Sequence, residues 1–190
     1  MKIGSGLADV VEDECDSLLV PIRATGQPGD PVDFANAPEW HDLFYGKATP
    51  ERVKELGQFL RSDPNRFFRL YHGTDASHPI MEKGLLPTCA RRAKSLQSAA
   101  GFVYLSVYPG MAEDFGRMAY PGKRIQVYAV ETTARRLLAD LDQLNNKRAW
   151  GGEAFREVGS SLAESLVIGH GARVRGKVDP WQISPVGSVR

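Results

Sequence analysis

Phe67-Phe68-Arg69-Leu70-Tyr71-His72-Gly73-Thr74 is the stretch on which the reading of this chain turns. The segment from Phe67 to Tyr71 is apolar and aromatic apart from Arg69, the pattern of a short buried strand. Ending that strand in His72-Gly73-Thr74 would set an imidazole and a hydroxyl at its tip, and Gly73 would let a ligand come close to the main chain. Two further pieces follow in order, Ile80-Met81-Glu82-Lys83-Gly84-Leu85-Leu86-Pro87 and Gly101-Phe102-Val103-Tyr104-Leu105-Ser106. Each is common alone; their order and context make the combination specific.

Working outward, a short helix is expected to start at Ser77 and Pro79 and to end at Gly84, followed by a strand over 101–107. Pro109 and Gly110 read as a break before a helix over 111–118. A third strand is expected over 125–130, and Thr132 or Thr133 is expected to cap a turn over 135–141. Late strands are expected at 165–168, 172–175 and 182–186. Upstream, Thr49-Pro50-Glu51 is a helix-start signal, because Thr caps free amides, Pro fits the first turn and Glu complements the dipole. Val53, Leu56 and Leu60 then fall on one face, giving a helix over 50–61 closed by Asp63-Pro64-Asn65.

Residues 1–48 are broken by Pro21, Gly26, Pro28, Gly29, Pro31 and Pro38 and read as an extension wrapped on a body of residues 49–190. A short strand at 17–22 fits that segment, and Trp40, Leu43, Phe44 and Tyr45 form an aromatic cluster suited to docking on the body. At 190 residues the chain holds one full core, and 42% apolar with 25% charged residues is ordinary globular usage. Cys15 and Cys89 fit neither a disulfide framework nor a zinc knuckle, so a reducing, cytoplasmic setting is expected. The acidic start of the chain is not expected to act as a signal peptide, and no apolar run approaches a membrane span. The net charge of +1 hides an asymmetry: residues 1–66 hold 7 Lys/Arg against 12 Asp/Glu, and residues 67–190 hold 17 against 11. A basic body favours a phosphate-bearing ligand or an acidic macromolecule.

The three pieces resemble the H-Y-E clade of the ADP-ribosyltransferase superfamily, in which a strand ending in His-Gly-Thr precedes an Ile-x-x-x-Gly-Leu helix and a Gly-x-x-Tyr strand. The resemblance covers about residues 67–130. It implies an α+β fold with small split mixed β-sheets around an NAD cleft and short peripheral helices. It also implies transfer of ADP-ribose from NAD, the co-substrate, to a macromolecular acceptor, protein or nucleic acid, with release of nicotinamide. In that family the histidine binds the adenosine-side ribose, the glycine main chain holds the nicotinamide carboxamide and the tyrosine stacks on the ring. Those roles fall on His72, Gly73 and Tyr104, with Thr74 beside the carboxamide and Ser106 or Tyr108 lining the pocket. Breaking the glycosidic bond of NAD builds positive charge on the ribose, so both ends must be held and a carboxylate presented nearby.

The family places that carboxylate, a glutamate, at the start of a late strand. Glu164 is the expected residue, because it directly precedes Leu166-Val167-Ile168; Glu153 and Glu157 are alternatives, Glu131 a further one, and His170 takes the spot if the strand starts at Ala172. The RNA 2′-phosphotransferase branch of the superfamily matches at Tyr71 to Thr74, Gly84 to Pro87 and Leu105-Ser106, but Tyr104 stands where that branch has a histidine. A non-catalytic NAD-binding or interaction protein of the same fold is the third reading. No metal site is expected from the scattered His41, His72, His78 and His170, nor a Gly-x-Ser-x-Gly hydrolase turn. Arg91, Arg92 and Lys94 form a basic stretch before the Tyr104 strand, read as a solvated charge run.

Overall fold

The computed structural model describes residues 29–46, 48–87, 98–150 and 159–187. The expected strand at 17–22, the basic stretch at 91–94 and the alternatives Glu153 and Glu157 lie outside them. The architecture is α+β: one seven-stranded sheet in the order β5-β6-β3-β2-β4-β7, with β1 added beside β2. The strands are β1 (Val32–Asp33), β2 (Phe67–Asp75), β3 (Phe102–Ser106), β4 (Ile125–Thr133), β5 (Leu137–Ala139), β6 (Gly171–Arg175) and β7 (Ile183–Pro185). The helices are α1 (His41–Tyr45), α2 (Pro50–Ser62), α3 (Ile80–Lys83), α4 (Pro109–Ala119), α5 (Leu141–Trp150) and α6 (Leu162–Ile168). All pairings are antiparallel except β1 with β2.

Phe68 and Leu70 of β2 point into the main core with Phe34, Trp40, Leu43 and Phe44 from the upstream segment and Leu56 and Leu60 from α2. Burying each such side chain contributes about 1.5–3 kcal/mol. Tyr45 is the outer member of the aromatic cluster and stays 53% exposed. On the opposite face α4 packs on β2 and β4, over Tyr71, Val127 and Ala129. Thr49 caps α2 as its type dictates, its hydroxyl accepting from the Arg52 amide at 3.4 Å.

Several elements differ from the sequence expectation. Instead of a strand over 165–168 there is α6, because Ser161 and Glu164 form a capping box that nucleates a helix one turn earlier. Beyond the capped turn, Leu166 and Val167 are buried. The expected turn over 135–141 is a 3-10 turn (Ala134–Arg136) followed by β5 and the N-cap of α5. Pro109 is not a break but the first residue of α4. β2 runs on through His72-Gly73-Thr74 to Asp75, so these residues lie inside a strand rather than at its tip.

Separate small sheets were the expectation, and the structure has one continuous sheet instead. β2 pairs with β4 along all nine residues but with β3 only at Tyr71↔Ser106. The halves β1-β2-β4-β7 and β3-β6-β5 therefore belong to one sheet joined at a single residue pair.

Two glycines mark close main-chain approaches. A Cβ on Gly73 would lie 2.0 Å from the Ala112 carbonyl oxygen of α4, and one on Gly116 would lie 2.7 Å from Ile125 Cγ2 and 3.0 Å from the Gly73 carbonyl carbon. The missing side chain of Gly73 admits α4. At Gly84 the backbone has φ 77 and a Cβ would lie 2.2 Å from the Val178 carbonyl oxygen. Leu85 and Val178 exchange both main-chain hydrogen bonds there, at 2.9 and 3.0 Å. Overpacking usually costs about 1–3 kcal/mol. Gly73→Ala is expected to lower the unfolding free energy by about 3 kcal/mol, the top of that range, whereas Gly110→Ala, with open space around it, should be neutral or stabilising by up to about 1 kcal/mol. Urea denaturation of the two variants checks both.

Candidate functional site

Where β2 and β3 part, a cleft of about 530 Å³ opens, within the size range of small-molecule sites. Its walls come from 71–74 of β2, 102–106 of β3, the region of α3 through Leu86, the later turns of α4, and the start of α5.

The ladder fails at one contact. The carbonyl of Tyr104, which would pair with the Gly73 amide if the register continued, lies 2.8 Å from His72 Nδ1. A carbonyl only accepts, so Nδ1 carries the hydrogen and donates it. On the other side, the Ala76 amide donates to Arg124 O and the Val186 amide to Val127 O. Even-numbered residues of β2 therefore direct their main-chain groups to β4, and Val127, opposite Gly73, directs its own to β7. By alternation the N–H and C=O of Gly73 point away from β4, toward the gap. One donor and one acceptor, about a peptide unit apart, face the cleft.

Tyr104 faces the same space. Its hydroxyl donates to Asp142 Oδ2 at 2.5 Å and accepts from the Ala99 amide at 2.7 Å, while that amide lies 3.2 Å from the same carboxylate oxygen. Burial, followed by the Asp142 contact, pushes the Tyr104 hydroxyl up to about 12, so it is a donor at neutral pH. Asp140 lies deeper, 4% exposed, its Oδ1 accepting from the amides of Asp142 and Gln143, both at 3.1 Å. Ser165 holds this corner: its hydroxyl accepts from the Asp140 amide and donates to the Gly171 carbonyl, both at 2.7 Å. Burial pushes the Asp140 carboxyl up to about 6.

The remaining expected residues have other work. Thr74, 2% exposed, has its hydroxyl 3.0 Å from His78 Nδ1. The hydroxyl of Ser106 donates to the His170 carbonyl at 3.2 Å and accepts from the Tyr108 amide at 3.3 Å. Tyr108 stands outside the cleft, its hydroxyl donating to the Phe44 carbonyl at 2.5 Å. Glu164 is also outside: its carboxylate accepts from the Gly159 amide at 2.8 Å, the Ser161 amide at 3.0 Å and the Ser161 hydroxyl at 2.6 Å. Burial opposes its ionisation, but those hydrogen bonds prevail and hold its carboxyl below the usual range. Glu131 pairs with Arg69 at 2.6 Å, at the far end of β2.

The late strand begins at Gly171, and the residue before it is His170, at φ 51 with its ring 5.4 Å from that of Tyr108. Burial lowers the His170 pKa. The carboxylates that do line the cleft, Asp140 and Asp142, come from the β5–α5 junction. Asp140-x-x-Gln143 is a recognisable N-terminal helix signal, and it was legible only to a reading that expected a helix there. Among the described residues no three His, Cys, Asp or Glu side chains gather to hold a metal ion, and no helix is long and apolar enough to cross a membrane.

Two consequences follow from these carboxylates. Asp140 titrates higher in the folded chain than its ordinary value of about 3.9, so the native state binds the proton more tightly and stability falls as pH rises from about 4 to 6. Asp140→Asn removes that loss; relative to the parent it should gain on the order of 2–3 kcal/mol across this window, read by urea denaturation at pH 4, 5, 6 and 7. Glu164→Ala should cost about 1 kcal/mol through the lost cap, measured by thermal unfolding. Comparison with protein-family models, curated proteins and solved structures returned no match for this chain, so the reading of the cleft rests on its own geometry.

Proposed function

We propose that this protein binds NAD in the cleft and transfers ADP-ribose to a macromolecular acceptor with release of nicotinamide. The observation that carries the reading is the Gly73 peptide turned into the gap beside Tyr104 and Asp142. A primary carboxamide needs one acceptor for its N–H and one donor for its oxygen, held at fixed spacing, which the C=O and N–H of one strand residue supply. The Tyr104 ring offers a flat face, worth about 0.5–1.5 kcal/mol against an aromatic partner. The fit of α4 on Gly73 keeps that peptide rigid, and rigidity is what positioning requires.

Bound NAD supplies the electrophilic ribose carbon and a leaving group, nicotinamide, that departs with the pair of the broken C–N bond. Asp142 is the carboxylate for the developing positive charge, replacing Glu164, which α6 uses for its own cap. The Tyr104 hydroxyl and the Ala99 amide orient Asp142 and keep it off other partners. As the acceptor's oxygen or nitrogen bonds to the ribose carbon, Asp142 takes up the proton that the acceptor loses. His72 contributes indirectly, by occupying the Tyr104 carbonyl and so keeping Gly73 turned to the cleft.

One observation favours a second reading, NAD binding without turnover: His170, not a carboxylate, precedes the late strand β6. Calorimetry with NAD and chromatographic assay of free nicotinamide separate the two. Binding with nicotinamide release is expected for the parent, with release reduced about 100-fold or more in Asp142→Asn, the usual scale for losing one electrostatic stabiliser. Glu164→Ala should retain release. Binding without release would support the second reading, and absence of binding would overturn both.

A further inference from the structure

The β3-β6-β5 half of the sheet carries a face that starts at the cleft wall with Phe102 and Tyr104 and continues beyond it. Register sets Phe102 opposite Arg175, and Tyr104 and Leu138 opposite Arg173. Alternation then sends Phe102, Tyr104, Arg173, Arg175 and Leu138 to one side, while Val103, Leu105, Ala172, Val174 and Leu137 fill the core on the other. On the outer side the Arg173 guanidinium lies 4.2 Å above the Phe102 ring and that of Arg175 lies 5.8 Å from the same ring. The shared ring orders both planar forks; Arg173 also interacts with the Tyr104 hydroxyl and the Asp140 carboxyl, whereas Arg175 is exposed.

No ion pair among the described residues involves either arginine. The Nε of Arg173 is buried without a hydrogen-bond partner. None of the three strands contains an acidic residue, and Leu138 is 41% exposed beside them.

We propose that this face docks a single-stranded nucleic acid, with Arg173 and Arg175 on its phosphates, and that this strand is the acceptor. The inference rests on the transferase reading and names its acceptor class. Guanidinium forks match phosphate geometry in a bidentate way, and a guanidinium plane also presents a surface on which a base stacks. An exposed leucine next to the forks suits an unpaired base better than an acidic peptide, which offers charge without apolar rings. The basic balance of residues 67–190 supplies long-range attraction of the same sign. Position supports the acceptor role: Arg173 sits directly across from Tyr104, which holds Asp142 at the cleft.

Fluorescence anisotropy with a labelled 12-nucleotide oligothymidylate and the full chain tests this. Arg175 is the probe residue, because it lies outside the cleft wall. Arg175→Gln should weaken binding about 5-fold and lower the slope of log affinity against log salt by about 0.7, the share of one phosphate contact to a single strand. Arg175→Glu should weaken it further, and Arg175→Lys by less than the glutamine variant. NAD affinity, read in parallel by calorimetry, should be the same in all of them. Oligonucleotide binding that is absent, or unchanged in Arg175→Glu, overturns the proposal. So does equal competition by a polyglutamate peptide of matched charge, which would move the face to protein acceptors. NAD affinity falling in proportion would assign the arginines to the pyrophosphate of NAD, ending the proposal while leaving the NAD reading intact. Arginine-dependent oligonucleotide binding without any NAD binding would keep the platform and remove the transferase reading.

Discussion

A single hydrogen bond, from His72 Nδ1 to the Tyr104 carbonyl, governs the shape of this protein's candidate site. In an uninterrupted antiparallel ladder that carbonyl would accept from the Gly73 amide, and β2 and β3 would close against each other like any other pair. An imidazole inserted at this point satisfies the carbonyl from a side chain instead. Closing the ladder would then cost the side-chain bond, so the two strands part after Tyr71↔Ser106. The sheet remains continuous, yet its halves open a cleft between them. Opening leaves the Gly73 peptide facing that space, and α4, seated against the bare Cα of Gly73, keeps the strand from twisting away.

Around this contact, residues of chemically suggestive type divide between architecture and site. Thr74, Ser106 and Tyr108 all carry hydroxyls, and all three are engaged with neighbours that tie elements together. Glu164 spends its carboxylate on the amides of Gly159 and Ser161, a use that a helix start offers to any glutamate placed three residues after a serine. Thr74 and Ser106 line the cleft as well, but Tyr104 and Asp142 are the contact on its wall that holds a carboxylate. A carboxylate held by one hydroxyl and one amide stays oriented, and its cleft-side position gives that orientation a chemical use.

Much of the organisation was legible in local pattern. The Thr49-Pro50-Glu51 start of α2, the strands around 67–71, 102–106 and 125–130, and the β6 segment all follow from signals that act over a few residues, namely capping, alternation and proline geometry. The errors cluster where two local signals compete. At 161–168 an apolar run suggested a strand, and the capping box decided for a helix. At 134–150 the turn signal was real but shorter than supposed, with β5 and α5 beyond it; α5 shows almost no hydrophobic periodicity, so its pattern carried little information. Pro109 carries a breaker signal, yet its fixed φ suits the first turn of α4 equally well.

The amino-acid sequence by itself therefore determined the mixture of strands and helices, most of the strands and the start of α2. These depend on residue type and short-range spacing, which the chain carries at every stage of folding. Only the tertiary structure decided which carboxylate stands at the cleft, why Gly73 must be glycine, and that the sheet parts after a single pair. Each of these depends on the distance between segments far apart in sequence: Asp142 lies 38 residues from Tyr104, and Tyr104 lies 32 from His72. No local signal encodes such a distance; it exists once the core has set β3 between β2 and β6.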